Sequence, residues 1–298
     1  MEDKVNLRAE ISRLNLVTTF SARLLEKDYH LTRILHKICE KTMKNLVFKG
    51  GTCLNKCYLG FYRLSEDLDF VFNKDVKGLS KTQIKKILDN LRRIIFEILN
   101  ELDLDTNNEL GKGWKMLTSN EEPKIAGLEI ITQYKSLIDN SIQTIKIDIS
   151  FRNKLVNDTK IRPIHHEFIN SLGEPILKED VEIEVIDLSE NFAEKFRALV
   201  TRKNIAVRDI YDIYFILKKN ILKIDKNIIE LSIIKINESL GAEFTKKDLR
   251  DFIIDLDSKI GNLNGKEIQA VLKSREEVNL QEMIKLIKYE VLKSIDNY

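Results

Sequence analysis

A chain of 298 residues, 43% hydrophobic and 32% charged, is long enough for one large domain or two modest ones, and its balance excludes a disordered tail or a membrane protein. The net charge of +2 excludes coating of nucleic acid through bulk charge, yet leaves room for an enzyme that grips one RNA through a local patch. Cys39, Cys53 and Cys57 are too few, and odd in number, for a disulfide framework; they fit a reducing compartment. No second pair or nearby histidine completes a tetrahedral site around Cys53-x-x-x-Cys57, so these read as buried hydrophobes.

The charged start Met1-Glu2-Asp3-Lys4 leads into no apolar signal core, and no run of about 18 apolar residues follows, so a cytoplasmic protein is expected. Residues 7–45 carry helical spacing, with Leu16, Phe20, Leu24, Leu31, Ile34 and Ile38 among the apolar positions. Leu46-Val47-Phe48 reads as a buried strand entering a tight turn at Lys49-Gly50-Gly51. Asp67–Phe72 reads as a second strand, with Asp67, Asp69 and Val71 on one face and Leu68, Phe70 and Phe72 on the other. Ser80-x-x-Gln83 has capping-box spacing before an amphipathic helix over 81–102. Strands are expected over 127–134, 142–151 and 181–186, and a nearly all-helical pattern runs from Ser189 to the end. The fold class is therefore α+β, with a mixed α and β part over 1–188 and a helical part over 189–298.

Four constellations carry chemistry. The first is Lys49-Gly50-Gly51-Thr52 followed by Arg63-Leu64-Ser65-Glu66-Asp67-Leu68-Asp69-Phe70. Paired glycines let a backbone approach a ligand closely, and their amides can cradle phosphate oxygens. Asp67 and Asp69, two apart on a strand, point the same way; their repulsion is relieved by a divalent cation such as Mg²⁺, which shares its shell with substrate phosphates. A lone Gly-Gly or Asp-x-Asp is common in turns and on exposed strands, but the two together favour a site. The second is Asp148, a third carboxylate if its strand lies beside the first, and otherwise an exposed acid on a half-buried strand.

The third constellation places Lys195 and Arg202, seven apart, on one helix face at the edge of an apolar stripe. They read either as cations for a triphosphate or as solvated bases with buried stems. The fourth is Asp209 and Asp212, one helical turn apart, which either orient Lys195 or Arg202, or touch substrate, or simply favour a helix N-terminus; Asp212, deeper in the turn, fits the last role less well than Asp209. His165-His166 point apart on a regular element and suit a loop or packing role, and Trp114 suits a surface loop or the core better than base stacking.

Taken together, these stretches resemble the AbiEii/AbiGii toxin family, a branch of the polymerase-β-like nucleotidyltransferases. The likeness runs from Glu26-Lys27-Asp28-Tyr29 through Phe48–Leu54 and Arg63–Phe70 to Arg208-Asp209-Ile210-Tyr211-Asp212-Ile213-Tyr214, and the part from Gly50 to Asp69 is the specific one. The resemblance implies a mixed sheet bearing the carboxylates, a helical C-terminal domain, and a toxin of a bacterial toxin–antitoxin or abortive-infection system with a cognate antitoxin. It implies Mg²⁺ on Asp67 and Asp69, with Asp148 as the candidate third ligand. Gly50, Gly51, Thr52, Arg63, Ser65, Lys195, Arg202 and Asp212 would bind the NTP, and Lys195 with Asp209 or Asp212 would match the later motifs. The expected reaction is transfer of a nucleotide to an RNA 3′ end, with tRNA as acceptor. Alternatives are transfer to a protein or small-molecule hydroxyl, and a GTP-binding interaction protein without transfer.

Overall fold

The computed structural model describes residues 2–41, 43, 45–76, 78–118, 125–151, 155–260, 268, 271, 272 and 279–297. The chain forms two compact units: residues 1–155, 159–186 and 271–274, and residues 156–158, 187–270 and 275–298.

In the first unit the helical stretch at the start is two helices, α1 (Glu2–Thr18) and α2 (Ala22–Glu40). They part at Thr19, whose φ of 64° no helix accepts, and Ser21 caps α2 by accepting from the Leu24 amide. Strand β1 (Leu46–Lys49) runs straight into α3 (Gly50–Cys53), which widens into a further helical turn over Leu54–Leu59. The tight turn expected at Gly50-Gly51 is thus one residue, Gly50 at φ 79°, followed at once by helix. Strand β2 (Asp67–Phe72) follows, then α4 (Lys81–Glu101) with both halves of the expected Ser80–Gln83 capping box.

Six more strands complete the sheet: β3 (Asp105–Thr106), β4 (Trp114–Thr118), β5 (Ile125–Lys135), β6 (Ile142–Ser150), β7 (Lys160–Pro163) and β8 (Glu182–Val185). Their order is β3-β5-β6-β2-β1-β8-β7, with β4 also on β5. The sheet is mixed: β2 runs parallel to β6 and β1 parallel to β8, while the β1–β2, β5–β6 and β7–β8 pairs are antiparallel. Phe48, Phe70, Leu128, Ile147 and Ile149 are wholly or almost wholly buried and pack with Leu31, Ile34, Leu35, Ile95 and Leu99 of α2 and α4. This apolar face fixes the register, because a slip of one residue would turn every core side chain to the other side. The charged residues between them are thereby committed to the opposite face.

Two histidines near this core stay neutral. Burial, with the Arg33 charge second, pushes His30 down to about 3; burial, then His166 and Lys56, pushes His36 down to about 4. The unfolded chain therefore takes up protons below the ordinary value of 6.5 that the fold refuses, so this stability is complete above about 6.5 and drains as pH falls. The thermal midpoint should drop between about pH 6.5 and 4, and His30→Gln should flatten that slope; equal slopes for both proteins would contradict it.

The second unit is helical: α5 (Leu188–Thr201), α6 (Val207–Lys218), α7 (Lys226–Leu240), α8 (Lys246–Ile254), α9 (Leu256–Lys259) and α10 (Leu280–Asp296). Helix α5 packs on α6 and α7, and α10 packs on α6 and α8. Lys235 of α7 and Glu190 of α5 are both fully buried and paired at 2.5 Å. Glu190 also accepts the amides of Val156 and Asn157 at 2.9 Å, which ties the three-residue excursion 156–158 into this unit. The helical pattern foreseen from Ser189 onward holds over α5 to α10; residues 261–267, 269, 270, 273–278 and 298 lie outside the described residues. No helix among the described residues is long and apolar enough to cross a membrane.

Candidate active site

The chemistry of the first unit lies on the charged face of the sheet. Because β2 and β6 are parallel with Asp69 opposite Asp148 and Asp67 opposite Lys146, all four side chains emerge on one side. Lys49 stands opposite Asp69 from β1, Glu129 opposite Asp148 from β5, and Lys115 opposite Glu129 from β4. The result is a row across five strands with a lysine at each end and three carboxylates between. Lys115 pairs with Glu129 at 2.8 Å, and Lys146 pairs with Asp148 at 2.9 Å.

Asp148 is half in and half out of this pairing. Its Oδ2 accepts from Lys146, while its Oδ1 is buried and has no hydrogen-bond partner. Burial raises its carboxyl above the usual range; Lys146 opposes that, and Asp69 and Glu129 add to it. Burial would lower Lys146, but its hydrogen bond to Asp148 and the charges of Asp148, Asp67 and Asp69 together raise it. Asp67 and Asp69, two apart on one face of β2, are the oxygen donors that suit a divalent cation. Among the described residues no group of three or more His, Cys, Asp or Glu side chains is placed to hold a metal ion. An open site of two carboxylates completed by substrate phosphates is the ordinary arrangement for Mg²⁺.

The glycines are shaped around this face. A Cβ on Gly50 would lie 2.3 Å from Asp69 Oδ2, and a Cβ on Gly51 would lie 2.7 Å from Arg63 Nη2 and 3.0 Å from Ser65 Oγ. Gly50 therefore meets the catalytic candidate Asp69, and Gly51 meets Arg63 and Ser65. Arg63 is almost fully buried and donates to the Leu64 carbonyl at 3.0 Å. Thr52, also buried, donates to the Asp67 carbonyl at 2.5 Å, which locks α3 to β2. The structure thus brings Gly50, Gly51, Thr52, Arg63, Ser65, Asp67, Asp69 and Asp148 into one neighbourhood.

The remaining predicted residues form an ionic cluster of their own in the second unit. Lys195 Nζ lies 2.9 Å from Asp209 and 2.8 Å from Asp212, and Arg202 also pairs with Asp209. Asp212 is fully buried and Asp209 nearly so, so both acids are committed to these cations. A groove of about 500 Å³ between α6 and α10, lined by Tyr214, Leu217, Leu286 and Tyr289, contains none of the predicted residues.

Residues 33–283 match the model of the nucleotidyl transferase AbiEii toxins of type IV toxin–antitoxin systems. The chain belongs to that family. The match begins after Glu26–Tyr29 and extends past Asn220 into the stretch where no motif is legible. The fold resembles that of JHP933 from Helicobacter pylori, with a TM-score of 0.54 at 15% identity over 93% of this chain and 94% of the other. It also resembles an H. pylori structure described as a candidate nucleotidyltransferase, at TM-score 0.53 and 15% identity over 93% of this chain and 97% of that one. No curated protein matches the sequence. By family the chain is a nucleotidyltransferase toxin, a class that uses an NTP and a divalent metal and is paired with an antitoxin; the two H. pylori structures share its fold.

Outside the matched residues, the stretch Glu26–Tyr29 ties α2 to the sheet and its neighbours. Fully buried Glu26 accepts from Ser136 Oγ and the Leu137 amide at the β5–β6 turn, Lys27 pairs with Glu66 beside Asp67, and Asp28 pairs with buried Lys56 at 2.9 Å. His165 and His166 sit in a loop, where the His166 ring lies 6.2 Å from both His36 and Phe168. Trp114 lies on β4, half-buried against the core as one of its two expected roles had it, with the Arg92 guanidinium 4.5 Å above its ring. The three cysteines are free thiols. Sequence reasoning quoted Lys49 in the first constellation but gave it no role, and it gave none to Glu129 or Lys146. Lys146 left a signal of its own, since it precedes Asp148 by two on a strand and so shares its face.

Proposed function

We propose that this toxin transfers a nucleotidyl group from an NTP to the 3′ hydroxyl of an RNA, with tRNA as the acceptor the family resemblance implies, and that Asp67 and Asp69 hold the Mg²⁺ the reaction requires. The observation that carries this is the convergence of Gly50 on Asp69, with Asp148 in register on the adjacent parallel strand. When bound, the metal ion neutralises charge on the α-phosphate and on the departing pyrophosphate.

The chain's own residues do the rest. The Gly50-Gly51 backbone, free of any Cβ, lets a triphosphate come close, and the amides at the start of α3 favour its negative charge. Ser65 and Arg63 flank Gly51 and set the shape of that approach. Asp148 is the third carboxylate, and its raised affinity for a proton suits it to accept the proton from the attacking hydroxyl. Lys195 and Arg202 are assigned to phosphate charge, with Asp209 and Asp212 holding them in place. Positioning and charge neutralisation supply most of the catalysis in phosphoryl transfer of this kind.

The test is incorporation of each α-labelled NTP into purified total tRNA with Mg²⁺, by wild type and by the Asp67→Ala/Asp69→Ala double variant. A labelled RNA from wild type alone is expected. No label with any nucleotide, from folded protein, would instead point to a protein or small-molecule hydroxyl, or to nucleotide binding without transfer.

A further inference from the structure

Lys146 has no place in the reaction as described so far, yet it stands among its carboxylates. It is in register with Asp67, two residues from Asp148 on the same face, and its Nζ is 2.9 Å from Asp148 Oδ2. On the other side of Asp148, Glu129 is drawn away by Lys115 at 2.8 Å. The fold has thus placed a permanent cation at the carboxylate that a second metal ion would need to share.

We propose that Lys146 is a positioning residue that fixes the metal count of the centre: it holds Asp148 as an ion pair, so that one divalent cation binds on Asp67 and Asp69 and no second one bridges to Asp148. The inference rests on the metal role of Asp67 and Asp69 given above. A carboxylate oxygen engaged by an ammonium group is not available as a bridging ligand, and a fixed positive charge a few ångströms away opposes the entry of a divalent ion. Lys49, opposite Asp69, adds to the same opposition from the other edge. The other oxygen of Asp148, Oδ1, is buried with no hydrogen-bond partner among the described residues, so it too is not presented to a second ion. The ammonium of Lys146 does not leave or transfer anything during the reaction; it keeps Asp148 turned and charged.

The experiment counts Mn²⁺ bound per chain on the full-length protein, by loss of the free-ion electron paramagnetic resonance signal, with Mn²⁺ alone as the probe. Wild type should bind one ion, Lys146→Met two, and Lys146→Arg one again. Asp148→Asn should keep a single ion with affinity within about threefold of wild type, because Asp148 is not a ligand of it. Thermal melts accompany each variant, and a Lys146→Met protein that melts like wild type while binding a second ion separates metal control from a merely structural role. Two ions on wild type, or one on Lys146→Met, would overturn the inference while leaving the metal centre standing. A different result, in which Asp67→Asn/Asp69→Asn binds Mn²⁺ as wild type does, would remove the metal centre itself and the inference with it.

Discussion

Replacing Asp69 with Asn is expected to slow nucleotidyl transfer by about 10³-fold while leaving the protein folded. Loss of the ligand that fixes a divalent cation removes several kcal/mol of transition-state charge stabilisation, and each 1.36 kcal/mol is about a factor of ten in rate. The fold should not suffer. Asp69 is only half-buried, Asn keeps its volume, and the change removes one negative charge from a face where Asp67, Asp148 and Glu129 already repel one another. The thermal midpoint should therefore stay level or rise. Transfer within tenfold of wild type by a folded Asp69→Asn protein would exclude the carboxylate from the chemistry.

The second large effect is expected at Gly50, through geometry alone. Gly50→Ala asks an L-residue to adopt φ 79° and puts a methyl group 2.3 Å from Asp69 Oδ2 and 3.0 Å from Asp69 Cβ and Cγ. The backbone term costs about 1–2 kcal/mol. The contact cannot be relieved by a flexible tip, because it reaches the root of the Asp69 side chain on a strand held by β1 and β6. The carboxylate must turn away, and a misplacement of about 1 Å at a reacting centre costs on the order of 10²-fold in rate. Gly111→Ala is the control: Gly111 has φ 88° with open space around its missing Cβ, so it carries the backbone strain without touching the site. Gly50→Ala should lose transfer and some stability, and Gly111→Ala stability only. Equal activity in the two variants would mean that the close approach of Gly50 to Asp69 has no catalytic purpose.

How much of this was legible in the sequence depended on whether the signal was local. The alternation of Asp67, Asp69 and Val71 against Leu68, Phe70 and Phe72 is a two-residue period, and the strand is there with those faces. The Ser80–Gln83 capping box is a three-residue spacing, and it forms as read. Gly50-Gly51 was legible as a sharp change of direction but not as the start of a helix, because glycine pairs signal turns and disfavour helix interiors. Strands β4 and β7 escaped notice: Trp-Lys-Met-Leu-Thr and Lys-Ile-Arg-Pro are short, partly or largely exposed edge segments with little alternation, held by their partners rather than by burial. Of the two places the sequence allowed Trp114, a surface loop or the core, the structure has the second: it packs half-buried against the core.

The site divides along the same line. Asp67, Asp69, Gly50 and Gly51 announce themselves within twenty residues. The place of Asp148 depends on a parallel pairing between strands some eighty residues apart, so the sequence could pose it only as a condition, and the register of β2 on β6 meets that condition. Lys49 and Glu129 enter only through cross-strand registers that no local period reveals. In the second unit, spacing suggested that Asp209 and Asp212 might steady Lys195 or Arg202 on equal terms; burial decides for a tight cluster around Lys195, with Asp212 wholly inside.

The most direct test of nucleotidyl transfer at Asp67 and Asp69 is a pair of parallel reactions with total tRNA and Mg²⁺, one with NTPs labelled at the α-phosphate and one at the γ-phosphate. Attack at the α-phosphate with pyrophosphate leaving predicts α-label in the RNA from wild type, none from Asp67→Ala/Asp69→Ala, and no γ-label from either. Label from the γ-phosphate in the RNA, or undiminished α-label from the double variant, would contradict it.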